Sequence, residues 1–176
     1  MRSLLDLARP GSTESTPGDL NQLLHGFAAS IAARIPQGVD VELDLAVDLP
    51  RVIFDATQLA EALDILVVNA FEAMKGAGRI VMRTRLDADA PPPGAVLISV
   101  ADSGPGIEAG RFTQLFDLFY TTKPTGTGVG LAMAKRLVER QHGTIGVTST
   151  PGRGAVFSVR LPLASGAARA VADASP

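Results

Sequence analysis

Three glycines at alternate positions, Gly126, Gly128 and Gly130, stand between a Thr-Thr-Lys-Pro and an apolar helical pattern in TTKPTGTGVGLAMAK, residues 121–135. Bare backbone at the mouth of a helix lets consecutive N–H groups approach an anion, where the helix dipole favours negative charge. The same stretch would equally serve as a flexible hinge or a plain turn cluster. Two familiar phosphate loops are excluded. A Walker A loop closes on Gly-Lys-Ser/Thr, whereas Gly130 is followed by Leu131 and Ala132, and Lys123 precedes the glycines. A dinucleotide fingerprint follows directly on a strand, and here a polar loop comes first.

Two further sites bear on the choice. In VADSGPGI (100–107), Asp102 ends an apolar strand and a Gly104-Pro105-Gly106 turn follows at once. One reading is an acidic residue opening a turn. The other is a carboxylate among apolar neighbours, costly to bury without a donor. The exocyclic amine of adenine is such a donor, while guanine presents a carbonyl oxygen there, and the glycines would let backbone lie close to a flat ring. In QLAEALDILVVNAFEAM (58–74), Leu59, Ala62, Leu63, Leu66, Ala70 and Ala73 form a helical core stripe with Asn69 at its edge. Its amide needs partners. A loop backbone would supply them, or, beside a phosphate loop, a Mg²⁺ ion, which takes oxygen ligands and leans on substrate phosphates.

The elements that must position these residues follow from pattern. SLLDLARP (3–10) ends at Pro10, and GSTESTPG (11–18) has the composition of a linker. Asp19 is set to cap a helix over 19–35, with Gln22 at capping-box spacing and Leu20, Leu23, Leu24, Phe27 and Ile31 at helical intervals. VDVELDLAV (39–47) alternates with period two and RVIF (51–54) reads as a second short strand. Asp55 then caps a long helix to about Lys75. Strands over 79–86 and 95–101, a turn-rich stretch over 102–128, a helix over 129–141 and a closing hairpin of 144–150 and 155–163 complete the pattern. The small-residue tail, 164–176, is expected to be disordered. Strands separated by helices without strict βαβ alternation predict a mixed sheet with helices on one face.

Composition narrows the class. The 176 residues include no cysteine, which removes disulfides and thiolate metal sites and fits a reducing compartment. A net charge of −2 offers no basic footprint for nucleic acid or acidic lipid. No apolar run reaches the roughly 18–20 residues of a membrane span. Met1-Arg2 leads into a stretch broken by Asp6 and Pro10, too short for a signal peptide. The expectation is one cytoplasmic domain, in direct contact with neither nucleic acid nor membrane and large enough to fold without staples.

Taken in order, LVVNAFEA, DSGPGI, LFDLFYTTK (115–123) and GTGVGLAMAK (126–135), closed by STPGRGAVFSVRLP, resemble the N box, first glycine box, F box and second glycine box of the sensor histidine kinases. These belong to an ATP-binding superfamily shared with gyrase, mismatch-repair ATPases and heat-shock chaperones. The resemblance runs from about residue 19 to 163. It implies an α/β (α+β) two-layer sandwich and a Mg-ATP-binding catalytic domain that transfers the γ-phosphoryl of ATP to a histidine on a separate dimerisation domain, with a response regulator downstream. By the same resemblance Asn69 holds Mg²⁺ and, with Lys123, serves catalysis; Asp102 reads adenine; Gly104 and Gly106 line the base pocket; and Gly126, Gly128 and Gly130 surround the phosphates. Ile107, Thr122, Thr127 and Leu131 complete the implied nucleotide-binding set. Residues from about 108 to 127 would be a mobile ATP lid, with Phe116 packed on the core and Phe119 or Tyr120 meeting the acceptor domain.

Departures carry information too. The ATPase branches place a water-activating carboxylate about one turn before the metal-binding Asn, and position 65 is Ile. Glu72, one turn later, could approach the metal shell or simply face solvent. Neither His25 nor His142 sits in a phosphoacceptor box, while LLDLARP resembles the last turns of the helical domain's second helix. The expected organisation is thus a helical remnant over 1–10, a linker over 11–18, the ATP-binding domain over 19–163 and a tail. The alternatives are a nucleotide-gated interaction module without transfer, and an ATPase clamp, against which Ile65 counts.

Overall fold

A computed structural model of the chain describes residues 15–87, 90–91, 94–121 and 126–163. The expected helical remnant, most of the linker and the tail fall outside these residues. The chain opens with β1 (Thr16–Gly18) and α1 (Leu20–Ile31), followed by a 3₁₀ turn at Ala32–Arg34, β2 (Val39–Leu45), β3 (Val52–Phe54) and α2 (Ala56–Met74). Then come β4 (Gly78–Asp87), β5 (Ala95–Asp102), a 3₁₀ turn at Ala109–Arg111, α3 (Gly130–Glu139), β6 (Thr144–Ser149) and β7 (Ala155–Pro162).

The first two helices start where the sequence places their caps. Asp19 accepts from the N–H groups of Asn21 and Gln22 at 2.8 and 3.2 Å, and Asp55 from those of Thr57 and Gln58 at 2.9 and 3.0 Å. Each bond satisfies a first-turn donor that the helix itself cannot. At its far end α2 stops on Lys75 in the left-handed region and Gly76 beyond it.

Five strands form one sheet in the order β2-β4-β5-β7-β6, with β2 and β4 parallel and every other neighbour antiparallel. One face buries Ile80, Met82, Ile98, Val100, Phe157, Val159 and Leu161 against Leu24 of α1, Leu59, Leu63 and Leu66 of α2, and Val138 of α3. The two-layer expectation is met. The opposite face carries arginines paired with acids, among them Arg83 and Arg85 on Asp44, whose carboxyl lies below its ordinary range because of the Arg85 bond first and Arg83 next. These exposed pairs add little stability.

Three expectations change. Residues 16–18, read from composition as the end of a linker, form β1, which pairs antiparallel with β3 in a separate two-stranded sheet. An edge strand that short tolerates Pro17, which has no N–H to give. The helix expected over 19–35 leaves α-geometry at Ile31 and tightens into the 3₁₀ turn. In α2 the buried stripe includes Val67 and Met74, while Ala73, expected in it, is only partly buried.

α3 is tied to α2 at its base. Buried Gln141, just beyond α3, accepts from the backbone N–H of Asp55 at 2.9 Å and donates from its amide to the Leu137 carbonyl at 3.1 Å. The N-cap of one helix is therefore held by the C-terminal end of the other.

Candidate functional site

A cavity of about 430 Å³ opens between α2 and the start of α3. From α2 it is lined by Asp64, Ile65, Val68, Asn69 and Glu72, positions one turn apart or adjacent on one side of the helix. Gly126, Thr127, Gly128, Gly130 and Leu131 line it from the glycine-rich approach to α3, and Leu115, Tyr120 and Thr121 from the segment after β5. Asn69 thus meets five of the residues assigned to the nucleotide. Thr122 and Lys123 lie outside the described residues.

Unlike its two predecessors, α3 begins with no side chain capping it, behind Val129. Its first-turn N–H groups have no side-chain acceptor at the cap and begin at the cavity wall. Such an end, next to an amide oxygen donor, fits a phosphate chain with a hard cation. Among the described residues no three His, Cys, Asp or Glu side chains cluster as a metal site.

Gly128, at φ +66°, is where the approach loop crosses the segment after β5. The Phe119 N–H donates to its carbonyl at 2.9 Å, and a Cβ at 128 would lie 2.4 Å from the Phe119 carbonyl carbon. Backbone here is packed too closely for a side chain. Gly130, by contrast, is simply the first residue of α3, and a Cβ there would come 3.4 Å from Ile65 Cγ2. Hydrocarbon therefore occupies the place beside the helix mouth where a water-activating carboxylate would be sought.

Asp102, Gly104, Gly106 and Ile107 do not line this cavity but gather beside it at the end of β5. Gly104 is the link: its Cα lies so near Ala73 that an added Cβ would sit 3.4 Å from the Ala73 methyl, one helical turn along α2 from Asn69. Asp102 Oδ1 accepts two backbone bonds, from Gly104 N–H at 2.8 Å and Ala155 N–H at 3.3 Å. Among the described residues Oδ2 takes no bond, and it is the oxygen left for a ligand. Burial raises the carboxyl above its ordinary range, and the two N–H bonds pull the other way.

The support under Asp102 comes from the turn of the closing hairpin. Gly154, at φ +80°, lies so close that a Cβ there would be 1.8 Å from the Asp102 carbonyl oxygen. Gly106 is similarly pressed against the Thr150 carbonyl. A Gly-Arg-Gly run in a turn was the available signal, but nothing local tied it to residue 102.

The aromatic residues after β5 divide by environment. Phe116 packs edge-on against core Phe157, ring centroids 6.5 Å apart, as expected. Phe119 is 69% exposed, with Leu118 at 50% beside it, whereas Tyr120 lines the cavity. Both histidines are exposed and neither lines the cavity. No described helix is long and apolar enough to cross a membrane.

Residues 54–165 match the family model for histidine kinase-, DNA gyrase B- and HSP90-like ATPases. The sensor histidine kinase ZraS of Klebsiella oxytoca is 34% identical over 161 residues, 91% of this chain and 34% of that protein. The chain thus spans about a third of that relative. Full-length ShkA, solved in complex with AMPPNP, superposes with a TM-score of 0.77 at 29% identity, covering 89% of this chain and 33% of ShkA. The histidine kinase ThkA is similar both as its isolated catalytic domain and in complex with the response regulator protein TrrA. The first superposes with a TM-score of 0.72 at 30% identity, covering 85% of this chain and 95% of that one. The second gives 0.75 at 25% identity, covering 93% and 46%.

Proposed function

Because the chain belongs to the histidine kinase-, DNA gyrase B- and HSP90-like ATPase family, we propose that it is the Mg-ATP-binding catalytic domain of a two-component sensor histidine kinase. It passes the γ-phosphoryl of ATP to a histidine on a separate dimerisation domain in the cytoplasm, with a response regulator next in the relay. The observation that carries this reading is the cavity joining Asn69 to the uncapped, glycine-lined start of α3, with Gly104, two residues after Asp102, packed on Ala73 one helical turn from Asn69.

Each residue has a task. Asp102 Oδ2 accepts from the adenine amine. The first-turn N–H groups of α3 hold phosphate oxygens, and Asn69 offers its amide oxygen to Mg²⁺. The metal, when bound, neutralises charge on the phosphates. Lys123 and Thr122 are assigned to the same end of the nucleotide on resemblance alone. At the position where the ATPase branches keep a water-activating carboxylate, Ile65 offers water no base. The γ-phosphoryl is therefore kept for an incoming imidazole: the bond from γ-phosphorus to the β–γ bridging oxygen breaks as one to the imidazole nitrogen forms. ADP leaves, and the imidazole proton goes to a base on the acceptor side. Catalysis is positioning and charge neutralisation.

The test supplies candidate helical dimerisation domains together with radiolabelled ATP. Acid-labile, base-stable label on the acceptor's histidine is the expected result. Tight Mg-ATP binding with no transfer to any cognate acceptor would instead support the nucleotide-gated interaction module.

A further inference from the structure

We propose that Ser149 is a positioning residue for base selection, acting through the peptide that orients Asp102. The proposal rests on the reading of Asp102 as the group that reads adenine. Ser149 ends β6 and is paired in register with Ala155. Its partly buried hydroxyl uses both of its capacities, accepting from the Ile107 N–H at 2.8 Å and donating to the Gly154 carbonyl at 2.6 Å.

The second of these bonds matters most. The Gly154 carbonyl and the Ala155 N–H belong to one planar peptide unit, so fixing the oxygen fixes the direction of the N–H. That N–H is the one that reaches Asp102 Oδ1 from β7. The first bond holds the other side, because Ile107 closes the turn whose Gly104 N–H supplies Oδ1 with its second donor. A third bond, from Gly152 N–H to the Pro105 carbonyl at 2.7 Å, presses the same two loops together. One hydroxyl therefore governs both donors that set the plane of the carboxylate, and with it the oxygen offered to the base. Only a side chain that donates and accepts at once can do this, and at that size Ser and Thr qualify.

The test compares Ser149→Val with Ser149→Thr, equal in shape and both suited to a strand, in the full chain. Calorimetry with Mg-ATP and Mg-GTP reads the ratio of affinities, which a merely structural role would leave unmoved. Val should lower the preference for ATP by about tenfold, the scale of one lost hydrogen bond, while Thr keeps the parent ratio. Asp102→Asn run alongside separates the two ideas. A parent-like ratio in that variant overturns the base reading itself; a lowered ratio there with an unchanged ratio in folded Ser149→Val overturns the role of Ser149 alone. Amide exchange in the parent needs no variant to fold: the Ile107 N–H should be protected, and exchange at the rate of an open loop overturns the proposal.

Discussion

Gly154 and Asp102 touch through their backbones, with the glycine Cα so placed that a Cβ would fall 1.8 Å from the aspartate carbonyl oxygen. Ala at 154 must therefore either push β5 away from β7 or abandon a φ of +80° that only glycine takes without strain. Gly154→Ala should cost on the order of 1–3 kcal/mol of stability and weaken ATP binding further than Ser149→Val does. Denaturant melts and calorimetry measure the two effects. A variant of parent stability would show that the turn yields without disturbing Asp102.

Asp102→Asn should weaken ATP binding about 10- to 150-fold, the loss of one charge-assisted hydrogen bond. It should also stabilise the empty protein near neutral pH. Asn keeps an oxygen for the Gly104 and Ala155 N–H groups but removes a charge that burial disfavours. A carboxyl raised in the folded state contributes stability that is complete below its unfolded value and lost as pH rises through the folded one. The variant's advantage should therefore shrink as pH falls through the raised range towards about 3.9, the unfolded reference. Melting temperatures taken side by side across that range give the answer; a gap independent of pH would trace the effect to something other than the charge.

Asn69→Ala should abolish the Mg²⁺-dependent part of nucleotide binding and leave the fold intact, since Ala suits the middle of α2. Calorimetry with and without Mg²⁺, on protein checked by circular dichroism, makes the comparison. Parent-like Mg-ATP affinity in the folded variant would remove Asn69 from the metal.

Gln141→Ala should cost about 1–3 kcal/mol, because it strands the Asp55 N–H and the Leu137 carbonyl in a buried place. Denaturant unfolding measures it. No change in midpoint would mean that water replaces the amide.

Phe116 and Phe119 should behave as opposites. Phe116→Ala loses a ring packed on Phe157 and should lower stability. Phe119→Ala removes an exposed ring and should leave both stability and ATP affinity near the parent values while slowing transfer to an added acceptor domain. Equal transfer rates in Phe119→Ala and parent would place the docking surface elsewhere.

What the sequence disclosed was local. Asp19 and Asp55 announce their helices because a cap bonds two or three residues away, and β2 alternates because one of its faces is buried. The glycines at 126–130 are legible as the mouth of a helix because turn and helix share one stretch of chain, whereas Asn69 joins them only through the packing of α2 beside α3. The cluster around Asp102 is only half visible in the sequence. Asp102 and Gly104 are neighbours in sequence, but Ser149, Gly154 and Ala155 reach them only through the pairing of β5 with β7, a contact no local pattern encodes. The pairing of residues 16–18 with β3 was hidden for the same reason, behind a composition that also suits a linker.

β7 is the last strand among the described residues yet lies second from one edge of the sheet, between β5 and β6, and its first residue supplies a donor to Asp102. The order in which the polypeptide is synthesised is thus not the order in which the sheet is laid out. A nascent chain that has emerged only as far as β6 already contains the residues of the Asn69 helix, the Asp102 turn and the glycine approach to α3. It still lacks the strand that joins β5 to β6 and the peptide that aims the carboxylate. Holding the Asp102 carboxylate with both backbone donors therefore requires a polypeptide that extends at least through Ala155, some fifty residues beyond the aspartate.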